Sequence, residues 1–139
     1  MNDLKIMIVD DDAFLLEYTT LILQNSGYIV LPVSKYEDAI QSASSFSPDV
    51  VLLDINLDDG KTGYQLSHEL RADSKLRNIP IVFITSDTSN TSNTQCKVFV
   101  CGALDFIHKP FTQEDITTRL APIASIGRLT KLLTEIGNK

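Results

Sequence analysis

Polar residues with complementary chemistry lie at or beside the ends of four short apolar runs. They are Asp10 and Asp11 after 6–9, Asp54 after 50–53, Thr85 after 81–84, and Lys109 two positions after 104–107. Three carboxylates held close together repel one another strongly unless a cation lies between them. An all-oxygen cluster favours a hard ion, and Mg²⁺ typically combines one or two carboxylates with waters and phosphate oxygens. The pattern therefore predicts a magnesium site at Asp10, Asp11 and Asp54.

Asp54 can act as a nucleophile in such a site. A carboxylate that attacks a phosphoryl group forms an aspartyl phosphate. Catalysis of phosphoryl transfer consists mostly of positioning and of neutralising charge on the three equatorial oxygens. Mg²⁺ would take one of these oxygens, the Lys109 ammonium a second and the Thr85 hydroxyl a third. Asp54, Thr85 and Lys109 are therefore the predicted catalytic residues.

These residues depend on strands that alternate with helices. Strands are predicted at 6–9, 28–31, 50–53, 81–84 and 104–107, where the apolar runs are short and bounded by polar residues. The stretches between them carry apolar residues at helical spacing, and Gly27 is placed to end the first helix. The segment around 95–100 is poor in helix formers and predicts only a weak helix.

Two helix starts have recognisable signals. Ser34 with Glu37 predicts a capping box for the second helix, and Thr112 with Asp115 predicts a cap for the last one.

Five strands with helical crossovers predict an α/β fold with a parallel sheet and helices on both faces. The flavodoxin-like, doubly wound (βα)5 arrangement with strand order 2-1-3-4-5 is the natural choice for five strands. In that order the first and third strands are neighbours, and ligands bind at their carboxyl ends. The predicted fold therefore brings the polar residues into one crevice.

Composition excludes several other classes of protein. The 139 residues include 12 basic and 18 acidic ones, which gives a net charge of −6. The sequence contains no cluster of Lys and Arg, so we expect no direct binding to nucleic acid. The apolar run 6–9 is shorter than the roughly 7–15 residues of a secretion signal or the roughly 18 of a membrane span. We therefore expect a cytoplasmic protein without a membrane partner, with Cys96 and Cys101 as free thiols.

The sequence resembles the receiver domain of two-component response regulators. The resemblance rests on Ile6-Met7-Ile8-Val9-Asp10-Asp11-Asp12, on Val50-Val51-Leu52-Leu53-Asp54-Ile55-Asn56, on 81–86 and on 102–111. It places a receiver domain at 1–121. It implies a signalling switch rather than an enzyme with a turned-over substrate, since the domain catalyses only its own phosphorylation and dephosphorylation.

The resemblance also implies particular roles and partners. Asp54 would accept a phosphoryl group from a sensor histidine kinase or a phosphotransfer protein. Asp11 and Asp54 would hold Mg²⁺ directly, Asp10 through water, and Asn56 through its backbone carbonyl. Thr85 and Phe106 match the pair of switch residues in the family, and the Lys109-Pro110 bond would be cis.

The sequence departs from the family pattern at three places. Asp58-Asp59 replaces the usual Pro-Gly after the phosphoacceptor, Ser86 stands where Ala is usual, and the stretch 85–109 is slightly long.

Three alternatives stay open at this point. A flavin-mononucleotide carrier would need a neutral loop after the first strand to bind phosphate. In this sequence that loop is Asp10-Asp11-Asp12, which would repel phosphate. A haloacid-dehalogenase-type Mg²⁺-dependent phosphatase would want the pattern Asp-x-Asp-x-Thr/Val, in which Phe14 stands at the last position. A degenerate receiver acting only as a scaffold would not need every reactive residue that is present.

The tail at 122–139 forms a predicted helical extension or linker. Its apolar residues recur at helical spacing, interrupted by Gly127. The tail is either a dimerising or connecting helix that leads to an output domain, or a final helix that packs back on the domain. A homodimer is thus possible, and no DNA-binding helix pair fits after Phe111.

Overall fold

The computed structural model describes residues 3–57, 60–85 and 105–137. Five parallel strands form one sheet in the order β2-β1-β3-β4-β5, which confirms the predicted fold class. The strands are β1 (Lys5–Val9), β2 (Ile29–Val33), β3 (Val50–Asp54), β4 (Ile81–Thr85) and β5 (Asp105–His108).

Four α-helices and one short 3₁₀ helix accompany the described strands. The α-helices are α1 (Ala13–Asn25), α2 (Ala39–Phe46), α3 (Gly63–Ala72) and α4 (Gln113–Gly137), and the 3₁₀ helix is Tyr36–Asp38. The weak helix predicted near 95–100 and both cysteines lie outside the described residues. No helix in the described ranges is long and apolar enough to cross a bilayer.

The central strands are apolar on both sides because helices cover both faces of the sheet. One core cluster contains Met7, Leu53 and Phe83 together with Ala43 of α2 and Leu66 of α3. The other contains alternate residues of the same strands together with α1 and α4. Unbroken apolar runs are typical of strands in this environment.

Local signals explain most helix ends. Gly27 has φ of 96° just after α1, a left-handed conformation that favours glycine, as predicted. At the start of α4, the Asp115 carboxylate accepts from the Thr112 backbone N–H and the Thr112 hydroxyl accepts from the Asp115 N–H, which confirms that cap.

The capping box predicted at Ser34 and Glu37 is wrong. A 3₁₀ turn begins at Tyr36 with Lys35 in the N-cap position and no side-chain cap, and α2 begins only at Ala39. Ala39 and Ala43 are fully buried in the core cluster on this side of the sheet, so α2 begins at the first residue of its buried face.

The interruption predicted at Gly127 is also wrong, because α4 is one continuous helix. Gly127 packs so closely on the strand below that an added Cβ would overlap the Asp49 backbone carbonyl. Arg128 and Lys131, which follow Gly127 along the helix, bind the fully buried Asp49 carboxylate at 3.0 Å and 2.9 Å. The second half of α4 is thus held against the amino end of β3.

Candidate metal centre

Three carboxylates meet where β1 and β3 end side by side. Asp10 follows β1, Asp54 ends β3, and one oxygen each of Asp10, Asp11 and Asp54 lies within 4.8 Å of the others. Asp10 and Asp54 are 2% and 6% exposed, whereas Asp11 is exposed. The cluster therefore has two buried ligands and one open to solvent.

Lys109 supplies the positive charge of this cluster. Its Nζ lies 2.7 Å from Asp54 Oδ2 and 3.5 Å from Asp10 Oδ2. The Lys109 backbone N–H donates to the Thr85 carbonyl at 2.7 Å, which fixes the end of β5 beside the end of β4. The following Lys109-Pro110 bond is cis, as the family resemblance implied.

Burial and the neighbouring charges shift the pKa values of Asp10 and Lys109. Burial and the neighbouring Asp54 carboxylate raise the pKa of Asp10 to about 7, against the lowering effects of the Asp12 backbone N–H and Lys109. Burial alone would lower the pKa of Lys109, but the hydrogen bond to Asp54 and the charges of both carboxylates raise it. The site holds more negative charge than one lysine neutralises, which favours a cation.

Backbone groups orient the two buried carboxylates in the same way. The Asp12 N–H donates to Asp10 Oδ1 at 3.0 Å, and the Asn56 N–H donates to Asp54 Oδ1 at 3.1 Å. In both residues the other oxygen, Oδ2, faces Lys109. Each carboxylate is therefore fixed by a tight turn at the end of its strand.

Sequence reasoning missed two residues that shape the centre. Asp12 caps α1 by accepting from the Leu15 N–H at 3.1 Å, a role that its position before the helix could have indicated. Gly63 packs so close to Asp54 that an added Cβ would overlap the Asp54 carbonyl oxygen and lie 3.1 Å from the Phe83 ring.

A capping box formed by Thr62 and Gln65 holds Gly63 at the first position of α3. The Thr-x-x-Gln spacing was visible in the sequence as a helix-start signal.

The other predicted site residues surround the carboxylates. Thr85 is 1% exposed at the end of β4, whose neighbouring residue Ile84 is in register with Asp54. Asn56 is exposed, and its own backbone N–H orients the Asp54 carboxylate. Phe106 is half-buried, with its ring edge-on to His108 at 5.2 Å. The three altered loop positions, Asp58, Asp59 and Ser86, lie outside the described residues.

The donor set fits Mg²⁺. All three ligating side chains offer carboxylate oxygens, and the exposed side of the cluster leaves room for the waters or phosphate oxygens that Mg²⁺ retains. Soft sulfur ligands are not among the clustered donors within the described residues, so the chemistry of the site does not favour zinc or copper.

Comparison with known proteins gives one consistent family. The model of the response regulator receiver domain matches residues 6–121. The DNA-binding response regulator MtrA of Mycobacterium tuberculosis is 34% identical over 116 residues, which cover 84% of this chain and 48% of MtrA. The chain thus spans about half the length of the curated relatives it matches.

Solved structures agree with this likeness. A putative response regulator from Chloroflexus aurantiacus has a TM-score of 0.80 and 28% identity, with 89% of this chain and 99% of that chain covered. The receiver domain of sensor histidine kinase PA1611 from Pseudomonas aeruginosa, with a magnesium ion coordinated in its active-site cleft, has a TM-score of 0.78 and 25% identity. The alignment covers 89% of this chain and 99% of that domain.

Proposed function

The chain belongs to the response regulator receiver domain family, and from that premise we propose that Asp54 is the phosphoacceptor of a magnesium-dependent signalling switch. Phosphoacceptor signalling is the function of the family. The observation that carries the assignment to Asp54 is the cluster of three carboxylates within 4.8 Å, with Lys109 at 2.7 Å from Asp54. Among the three clustered carboxylates, Asp54 is the one that ends β3.

Four residues would hold the metal. Asp11 and Asp54 would ligate Mg²⁺ directly, Asp10 would do so through water, and Asn56 would contribute its backbone carbonyl. When bound, Mg²⁺ offsets charge on the phosphoryl oxygens and on the crowded carboxylates. The PA1611 receiver domain, which has a magnesium ion coordinated in its active-site cleft, supports a magnesium ion in this cleft.

The reaction needs no further cofactor. An Asp54 oxygen attacks phosphorus, an O–P bond forms, and the P–N bond to a phosphohistidine breaks, so that the histidine leaves with the electron pair. Lys109 neutralises one phosphoryl oxygen from its position beside Asp54. The Thr85 hydroxyl donates to another. Water later cleaves the acyl phosphate, so the domain regulates its own signal.

Partners follow from the same chemistry. The donor would be a sensor histidine kinase or a phosphotransfer protein in the cytoplasm. The output would be a downstream domain or protein, since MtrA is by name a DNA-binding response regulator and the match covers only 48% of it. This acidic receiver, which we assign to 1–121 with a helical extension at 122–139, would not itself contact nucleic acid or a membrane.

The conformational change would involve Thr85 and Phe106. A phosphoryl group on Asp54 can accept a hydrogen bond from the Thr85 hydroxyl and draw it inward. Phe106 is half-buried on the neighbouring strand and could then move into the vacated space. A ligand shifts such an equilibrium only through contacts that differ between the two states, and the Thr85 hydrogen bond is one.

Phosphorylation in vitro tests the proposal. Incubation with acetyl phosphate and Mg²⁺ should raise the intact mass by one phosphoryl group, and alkali should remove it. Asp54→Asn should abolish the label, whereas Asp38→Asn, a change of an exposed aspartate outside the cluster, should leave it intact.

Labelling of Asp54→Asn as strong as that of the wild type would refute the assignment, as would labelling unaffected by EDTA. Repeated turnover of a small phosphate ester would instead favour the haloacid-dehalogenase type of phosphatase, and absence of any label would favour a scaffold.

A further inference from the structure

The second half of α4 carries an apolar face that nothing in the described residues covers. We call it the C-terminal apolar face, and it consists of Ile126, Leu129, Leu132, Leu133 and Ile136. These side chains are between 47% and 67% exposed, and they make up more than half of the large hydrophobic residues that the described chain exposes. Contiguous exposed apolar patches of this kind mark interaction sites.

The helix is held to the domain by its opposite side. Gly127 packs on the Asp49 backbone and Lys131 binds the Asp49 carboxylate, whereas Leu129 and Leu133 each lie two residues further on. Two residues correspond to about 200° around an α-helix. The C-terminal apolar face therefore points away from the domain and is accessible to another helix.

The spacing of this face is that of a helix-pairing seam. Ile126, Leu129, Leu133 and Ile136 are three, four and three residues apart, the a/d pattern of a coiled coil. The order Ile-Leu-Leu-Ile reads the same in both directions about Lys131. Two copies related by a two-fold axis at that level would place Ile126 against Ile136 and Leu129 against Leu133.

Charge favours a second copy in the antiparallel direction. The three charged residues between 125 and 136 are Arg128, Lys131 and Glu135. Arg128 and Lys131 bind Asp49 of the domain, and Glu135 lies one turn after Lys131 on the same side of the helix, so identical seams would not repel. In a parallel pair the contact would extend toward the amino end of α4. Asp115 and Arg119 of one copy would then each face the same residue of the other copy. Antiparallel pairing avoids both contacts and keeps two domains of net charge −6 at opposite ends.

We propose that the C-terminal apolar face is a homodimerisation surface on which the same face of a second copy packs antiparallel. The two-fold arrangement is isologous, so one patch serves both copies. The seam extends only about 15 Å along the helix. An interface this small is weak and forms at high local concentration.

Sedimentation velocity of the full chain from about 10 µM to 1 mM tests the proposal. We expect a reversible monomer–dimer equilibrium with a dissociation constant on the order of 0.1 mM. Leu133→Glu should raise that constant at least tenfold. Leu21→Glu, the same change at a leucine 52% exposed on α1, should leave it unchanged. Circular dichroism would check that both variants are folded.

A monomer at 1 mM would overturn the proposal, as would a Leu133→Glu variant that dimerises like the wild type. Cysteine cross-linking in a Cys96→Ser, Cys101→Ser background tests the direction. A mixture of Leu129→Cys and Leu133→Cys chains should cross-link more than either alone, and preferential self-linkage would contradict antiparallel packing. The Asp54→Asn chain should dimerise equally, which separates this proposal from the phosphoryl chemistry.

Discussion

Replacing Gly127 with alanine should destabilise the protein although alanine is the better helix former. In an exposed helix, Gly→Ala stabilises by about 1 kcal/mol. At Gly127 the added methyl group would overlap the Asp49 carbonyl oxygen, and it would lie 2.8 Å from the Asp49 carbonyl carbon and 3.2 Å from Pro80 Cδ. These atoms belong to backbone and a proline ring, so no side-chain rotation can relieve the overlap.

The magnitude follows from what must move. Overpacking a core costs about 1–3 kcal/mol. A shift of α4 would also pull Arg128 and Lys131 from the buried Asp49 carboxylate, and breaking such a pair costs about 3–5 kcal/mol when it is complete. With partial loss of the pair and the gain in helix propensity, we expect the free energy of unfolding to fall by about 3 kcal/mol.

Urea denaturation, monitored by circular dichroism, measures this change in the free energy of unfolding. The slope of the transition checks two-state behaviour. Gly137→Ala is the matched control because nothing lies within 4 Å of its added Cβ at the end of the same helix. It should change stability by less than about 0.5 kcal/mol. A Gly127→Ala protein as stable as the wild type would refute the close packing of α4 on Asp49.

Three further predictions concern residues around the same sheet. Burial would raise the pKa of Asp49, but hydrogen bonds from Arg128, the Lys5 backbone and Lys131 lower it; its stabilising effect is therefore present above about pH 4 and lost as pH falls below. Stability of the wild type should consequently drop more than that of Asp49→Asn between pH 5 and pH 2 in urea titrations, and parallel curves would contradict this. Asn56→Leu should lengthen the lifetime of phosphorylated protein severalfold in a mass-spectrometric decay assay, because a bulky apolar side chain would hinder the attacking water; an unchanged rate would count against it. Gly63→Ala should slow labelling by acetyl phosphate at least tenfold by displacing the Asp54 backbone, whereas labelling at the wild-type rate would show that the close approach is unimportant.

The sheet could be predicted from sequence because its signals are local and unambiguous. Four of the strands are unbroken apolar runs, which identifies them as strands buried on both faces, and the helical crossovers between them predict parallel pairing. Once the strand order is known, Asp10 and Asp54 must lie side by side at neighbouring strand ends. The same topology predicted that Lys109 lies at this crevice, and its Nζ is observed 2.7 Å from Asp54 Oδ2.

Features that depend on distant contacts could not be predicted in this way. Asp49 looks like an ordinary acid before a strand, and its partner Arg128 lies 79 residues away. Gly127 reads as a helix breaker until the carbonyl beneath it is known. Ser34 and Glu37 satisfy a local capping pattern, but α2 begins only at Ala39, whose burial in the core a local pattern does not reveal.

Chemical trapping of the phosphorylated residue tests the central claim most directly. Borohydride reduces an acyl phosphate to the alcohol, so phosphorylated aspartate becomes homoserine and can be located by peptide mass spectrometry. After incubation with acetyl phosphate and Mg²⁺, we predict homoserine at position 54 and at neither Asp10 nor Asp11. Homoserine at another position, or phosphorylation that borohydride does not trap, would contradict the assignment of Asp54 as the phosphoacceptor.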